Sequence, residues 1–133
     1  MKTQVRYYTR SGNTKKLADA AADALSLKAE DVSVPLCERV DILFLCCSYY
    51  AFDIDEAVKS FIRENGSNIG KIVCIGTSAM MKSMKKPVRK VSGGIPVADE
   101  EFHCRGAFGS IHKGRPDEND LSAVCEFVKR VAE

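Results

Sequence analysis

Val5-Arg6-Tyr7-Tyr8-Thr9-Arg10-Ser11-Gly12-Asn13-Thr14-Lys15 runs from an apolar-aromatic strand through a hydroxyl-rich turn into a helix that spans Lys15 to Leu27. Such a turn carries the donors that hold a phosphate. The first N–H groups of a helix have no internal acceptor, point outward, and sit where the dipole adds about half a positive charge. Thr9, Ser11 and Thr14 supply hydroxyls and Asn13 an amide. Gly12 lets the backbone approach a ligand with no Cβ in the way. Read alone, the same residues also serve as an N-cap. A Walker loop is absent, since no lysine follows a second glycine at the required spacing, and so is Gly-x-Gly-x-x-Gly.

Outward from this turn, Val40 to Cys47 and Lys71 to Gly76 are nearly continuous apolar runs. Continuous rather than alternating apolar strands are those covered on both faces, the mark of a parallel sheet. Ile95 to Cys104 is more polar, as expected at a sheet edge, and Asp31 to Leu36 reads as a further short strand. Helical spacing recurs at Leu17, Ala21 and Leu25, at Ile54, Ala57, Val58, Phe61 and Ile62, and at Leu121, Val124, Cys125, Val128 and Val131. Met80 to Val91 reads as a helix with Pro87 inside it, which predicts a kink or a late start. Pro116-Asp117-Glu118 suits the start of the last helix. The order β-α-β-β-α-β-α-β-α implies a doubly wound sheet with helices on both faces and right-handed crossovers. Ligands of such sheets lie beyond the carboxyl ends of the strands, so Thr9–Thr14, Ser48–Asp53 and Thr77–Met80 should face one crevice.

At 133 residues the chain is expected to form a single domain, residues 1–133, that buries about two-thirds of its unfolded surface. No apolar run reaches the roughly 20 residues that span a bilayer. Met1-Lys2-Thr3-Gln4-Val5 lacks a secretory apolar segment, so a cytoplasmic protein without membrane contact is expected. The six cysteines show no Cys-x-x-Cys spacing and mostly sit in apolar runs, which speaks against a disulfide framework or a zinc site. A receiver domain needs acids after the first strand, and Val5-Arg6-Tyr7-Tyr8 has none. Cys-x5-Arg phosphatase chemistry fails as well, since Phe52 and Asp53 stand six positions after Cys46 and Cys47.

Ser48-Tyr49-Tyr50-Ala51-Phe52-Asp53 places three aromatics in one loop. Such rings either plug a sheet-helix corner or stack on a flat ligand. Beside a phosphate loop the second role gains weight, because a phosphate at one end and a planar ring at the other describe a mononucleotide. On these residues the chain resembles the flavodoxin family. Thr9-Arg10-Ser11-Gly12-Asn13-Thr14 is similar to that family's phosphate loop, Asp41 to Ser48 to its third strand, and Ile72 to Thr77 to its fourth. Asp99 to Phe108 and Pro116 to Leu121 extend the likeness over the whole chain. The resemblance implies a flavodoxin-like five-stranded parallel sheet of order 2-1-3-4-5 and non-covalent FMN. Thr9, Arg10, Ser11, Gly12, Asn13 and Thr14 would hold the phosphate. Ser48, Tyr49, Tyr50, Ala51 and Phe52 would flank the ring, and Thr77, Ser78, Ala79 and Met80 would contact its other edge. No catalytic side chain and no metal are expected, because the chemistry belongs to the flavin.

The chain departs from the family pattern at three places. The first ring loop has Ala51 where many members carry a glycine that favours the one-electron-reduced flavin. The second lacks an aromatic. The net charge is +2, where flavodoxins are commonly acidic. From Asn65 to Ala98 there is no Asp or Glu, yet Lys71, Lys82, Lys85, Lys86, Arg89 and Lys90 occur. This run is either a solvated helix face or a positive rim that draws acidic redox partner proteins. Nucleic acid is not an expected partner, for the cluster lacks interleaved aromatics, and a monomer or weak dimer is expected. The functions that follow are an FMN-binding electron carrier, an FMN-dependent reductase of quinones or similar small acceptors, and a module of this fold that has lost the cofactor.

Overall fold

A computed structural model describes residues 1–9, 12–48, 53–77, 83–104 and 114–132. Its elements are β1 (Thr3–Tyr8), α1 (Asn13–Ala24), β2 (Glu30–Asp31), β3 (Ile42–Ser48), α2 (Glu56–Asn65), β4 (Ile72–Thr77), α3 (Lys85–Ser92), β5 (Val97–Cys104) and α4 (Glu118–Ala132). The strands form one sheet of order β2-β1-β3-β4-β5, and every pairing is parallel.

The continuous apolar runs follow from this layering. Successive strand residues point to opposite faces. Along β3, Ile42, Phe44 and Cys46 join Val5, Val73 and Ile75 beneath α1 and α4. Leu43, Leu45 and Cys47 join Ile72 and Cys74 beneath α2 and α3. All seven residues of β3 are buried, as the central position between two helical layers requires.

One sequence expectation is corrected. Asp31 to Leu36 is not a strand, because β2 ends at Asp31. The segment turns instead, with Val34 N–H bonded to the Asp31 carbonyl, and wraps the guanidinium of Arg6. Arg6 is only 4% exposed and donates to the carbonyls of Val34 (3.0 Å) and Pro35 (3.3 Å) and to Gln4 Oε1 (3.0 Å). Carbonyls turned toward an arginine are not available for a sheet ladder. Burial draws the Arg6 guanidinium down from its ordinary value, and the nearby charge of Glu30 opposes that shift. The late start expected of the helix around Pro87 is observed, since α3 begins at Lys85. Pro87 then falls in its first turn, where a missing N–H costs no helical bond.

The last helix begins where its sequence suggests. Asp117 N–H donates to the Asp120 carboxylate (2.8 Å) and Asp120 N–H to the Asp117 carboxylate (3.0 Å), a reciprocal cap. Arg115 adds two bonds to Asp120, at 2.6 and 2.8 Å. Arg115 first, and then the Asp117 N–H, hold the Asp120 carboxyl below its ordinary value of 3.8, against the opposing effect of burial. A lowered acid stabilises the fold above its ordinary range and loses that contribution as pH falls through the folded value. Asp120→Asn should therefore lose about 1–2 kcal/mol at pH 7 through the broken cap. The gap to the parent chain should narrow below about pH 4, as urea unfolding at both pH values will show.

Candidate functional site

The carboxyl ends of β1, β3 and β4 converge where the strand order reverses, between β1 and β3. Of the residues expected there, Thr9, Gly12, Asn13, Thr14, Ser48 and Thr77 are described. Arg10, Ser11, Tyr49, Tyr50, Ala51, Phe52, Ser78, Ala79 and Met80 lie outside the described residues, as does Lys82 of the basic run.

The start of α1 is built without a cap of its own. Gly12 holds the N-cap position at φ 89°, in the left-handed region, and no side chain accepts a bond there from the first turn. Gly12 N–H turns back to Thr9 Oγ1 at 2.8 Å, and the Gly12 carbonyl accepts from Lys16 N–H. The first turn contains no acid. An ordinary capped helix would carry Ser, Thr, Asp or Asn as acceptor at this point. Here the helix start carries no such side-chain acceptor, and its positive dipole end is of the kind that suits an anion.

Behind this turn lies a contact that sequence spacing did not suggest. The hydroxyls of Thr14, Ser48 and Thr77 form a triangle with sides of 2.7, 3.0 and 3.0 Å. They come from the first turn of α1 and from the last residues of β3 and β4. All three residues are buried, at 0, 9 and 2% exposure. The signal was present in outline, since both strands end in a hydroxyl residue and parallel register sets Ser48 opposite Thr77.

Met84 and Glu101 were also missed. Met84 is fully buried, and its Sδ lies 3.5 Å from the Cys47 thiol, just before the first ring loop. Gly76 admits that sulfur, because a Cβ built there would stand 3.1 Å from Met84 Sδ. Glu101 on β5 accepts the Met84 N–H at 3.0 Å. Together they fix where the chain re-enters α3 after the second ring loop.

The basic run is partly compensated in space. Arg89 pairs with Asp99 at 3.0 Å, and Lys85 donates to the Asp99 carbonyl at 3.1 Å. Asp53, which follows the first ring loop, pairs with Lys59 at 2.6 Å. That hydrogen bond first, then the Ile54 N–H, keeps the Asp53 carboxyl below its ordinary value, with Lys90 contributing. All six cysteines are free thiols, and burial pushes those of Cys74 and Cys104 up to about 12. No helix among the described residues is long and apolar enough to cross a membrane.

Fold and site thus define a doubly wound α/β protein whose first helix starts, without a side-chain cap, at the topological switch point. The chain has the flavodoxin-like fold. It is similar over 99% of its length to a flavodoxin from the domain Archaea, of which it covers 96%, at 15% identity and a TM-score of 0.75. Oxidised flavodoxin 2 from Bacillus cereus matches at 15% identity and a TM-score of 0.68, with 99% of this chain and 98% of that one covered. In the rubredoxin oxygen:oxidoreductase of Desulfovibrio gigas, 98% of this chain matches 35% of that chain, at 10% identity and a TM-score of 0.71. The likeness in all three is one of fold. No protein-family model matches the sequence, and no curated protein does.

Proposed function

We propose that the chain binds FMN and serves as a cytoplasmic electron-transfer protein. The observation that carries this is the uncapped, acid-free start of α1 at the crevice of a flavodoxin-like sheet. The donors present there suit a phosphate dianion. The Thr9–Thr14 turn would hold it through N–H groups at the helix start and the hydroxyls and amide of the turn. Ser48 to Phe52 and Thr77 to Met80 would flank the isoalloxazine from the ends of β3 and β4. FMN, once bound, supplies the redox chemistry.

The chain's own residues position and shelter. Phe44, Cys46, Leu45 and Ile75 close the sheet below the crevice to water. The helix end would favour the phosphate through its dipole and its first N–H groups. Asp53, held by Lys59, sets the exit of the first ring loop. A redox partner would meet the crevice rim, where Lys86 and Lys90 are exposed, so an acidic partner surface suits it.

Two measurements test this proposal. The purified chain, reconstituted with FMN and desalted, should be yellow and bind FMN more tightly than riboflavin by at least about ten-fold, the worth of one charge-assisted phosphate contact. An anaerobic dithionite titration should then reduce the bound flavin reversibly. Absence of any uptake at micromolar FMN would defeat the proposal.

A further inference from the structure

We propose that the cavity at the β2 border of the sheet binds a zwitterionic low-molecular-weight disulfide, of which cystine is the simplest, and presents it to Cys37 for thiol–disulfide exchange. The site is separate from the crevice and does not depend on the flavin reading.

The cavity has a volume of about 250 Å³. Drug-sized sites run from about 300 to 1,000 Å³, so a ligand on the scale of an amino acid suits this one. Gln4 and Arg6 of β1 line it, on the face opposite Val5, which packs beneath α1 and α4. β2 contributes Glu30, in parallel register with Arg6. The segment after β2 closes the cavity with Cys37 and the apolar walls of Leu36 and Val40.

Two groups of opposite charge meet there. Arg6 has five N–H donors. Nε donates to the Val34 carbonyl, Nη1 to Gln4 Oε1 and the Val5 carbonyl, and Nη2 to the Pro35 carbonyl. One N–H of Nη2 is left without an acceptor among the described residues, on a side chain only 4% exposed. A buried guanidinium N–H calls for an acceptor, and a carboxylate answers it best. Glu30, partly exposed, forms no salt bridge among the described residues and can accept from an ammonium. Glu38, the other acid of the cavity, is already held by Lys2 at 2.7 Å. A simple anion would be repelled by Glu30 and a simple cation by Arg6. A headgroup with both charges satisfies both.

The thiol beside them is the accessible one. Cys46, Cys47, Cys74 and Cys104 are buried, and the half-buried Cys125 thiol is bonded to the Ala20 carbonyl at 3.3 Å. Cys37 is exposed, and after Glu30 it acts on the charge of Arg6, so its sulfur lies within electrostatic reach of the same guanidinium. A headgroup held at Arg6 and Glu30 thus brings its disulfide to that sulfur. Cys37 gives up its proton and its thiolate attacks the nearer ligand sulfur. The new S–S bond forms as the ligand's own S–S bond breaks. The displaced half leaves as a thiolate and takes up a proton. Cys37 ends oxidised in a mixed disulfide, and the departing half ends reduced.

The test treats the reduced, desalted chain with cystine, cystamine (cationic), dithiodipropionate (anionic) and hydroxyethyl disulfide (neutral). Adduct formation is followed by intact mass, and its site by peptide mapping. Each rate is divided by that of the same disulfide with a synthetic peptide of residues 34–40, which removes differences in intrinsic reactivity. Cystine should modify Cys37 at least about ten-fold faster than its peptide reference, and the other three disulfides within about three-fold of theirs. Glu30→Gln should slow cystine about five- to ten-fold, the scale of one charge-assisted contact, and leave hydroxyethyl disulfide within about two-fold. Cys37→Ser should abolish the rapid adduct. Arg6 is left intact, because it also holds the segment after β2.

Four disulfides with the same normalised rate would make Cys37 an ordinary surface thiol and overturn the proposal. So would rapid labelling at Cys125, or a Glu30→Gln variant that reacts with cystine as the parent does. A Glu30→Gln variant that slows cystine and hydroxyethyl disulfide equally would report altered exposure of the thiol, and would overturn the recognition step as well.

Discussion

Exchanging Arg6 for alanine is expected to cost the fold about 2–4 kcal/mol of unfolding free energy, measured in urea at neutral pH. The size follows from what the side chain leaves behind. The carbonyls of Val34 and Pro35 accept from Arg6 at 3.0 and 3.3 Å in a part-buried setting, and Gln4 Oε1 at 3.0 Å. Without the guanidinium, each loses a charged partner. A hydrogen bond to a charged group is worth about 1.5–3 kcal/mol, and losing several of them together reaches the stated range. Arg6→Met separates the causes. It keeps an apolar stem of similar length and still removes every donor, so it should lose nearly as much. A loss below about 0.5 kcal/mol for either variant would mean that the segment is held by its other bonds alone. Those bonds are the Leu36 N–H to Asn65 Oδ1 and the Asn68 amide to the Leu36 carbonyl.

The second large effect is expected at Gly12. Valine there should raise the FMN dissociation constant at least about ten-fold, because a β-branched residue in the left-handed region costs more than the 1–2 kcal/mol charged to ordinary residues. Contact is not the reason, since a Cβ at Gly12 would meet nothing within 4 Å. The strain is in the backbone, at φ 89°. The turn can escape it only by rotating Gly12 out of that region, which breaks the bond to Thr9 and redirects the first N–H groups of α1. Gly12→Asn, which tolerates positive φ, should retain more affinity than valine. If both variants bind FMN as the parent does, the turn does not hold the phosphate.

Much of the architecture was legible in the chain. Val40 to Cys47 and Lys71 to Gly76 identified the two central strands, because only strands buried on both faces tolerate unbroken apolar runs. Pro87 correctly suggested a late start for α3. The failures share a physical cause. Asp31 to Leu36 looks like a strand because its Val32, Val34 and Leu36 are apolar, and its carbonyls meet an arginine in a different element. The acid-free run from Asn65 to Ala98 looked uncompensated because the opposing carboxylate, Asp99, sits on β5. The hydroxyl ring escaped notice for the same reason, as its members are 34 and 63 residues apart. Local spacing reports on local neighbours, and these contacts are made by topology.

The two outer strands of the sheet carry one more implication. β2 is two residues long, and β5 displays Asp99, Glu100 and Glu101 in succession. An open sheet invites a stranger's backbone to extend it, and that is how many proteins polymerise into fibrils. Here one border is too brief to serve as a template. The other would force a copy of itself to align carboxylate against carboxylate. The molecule should therefore stay dispersed at high concentration.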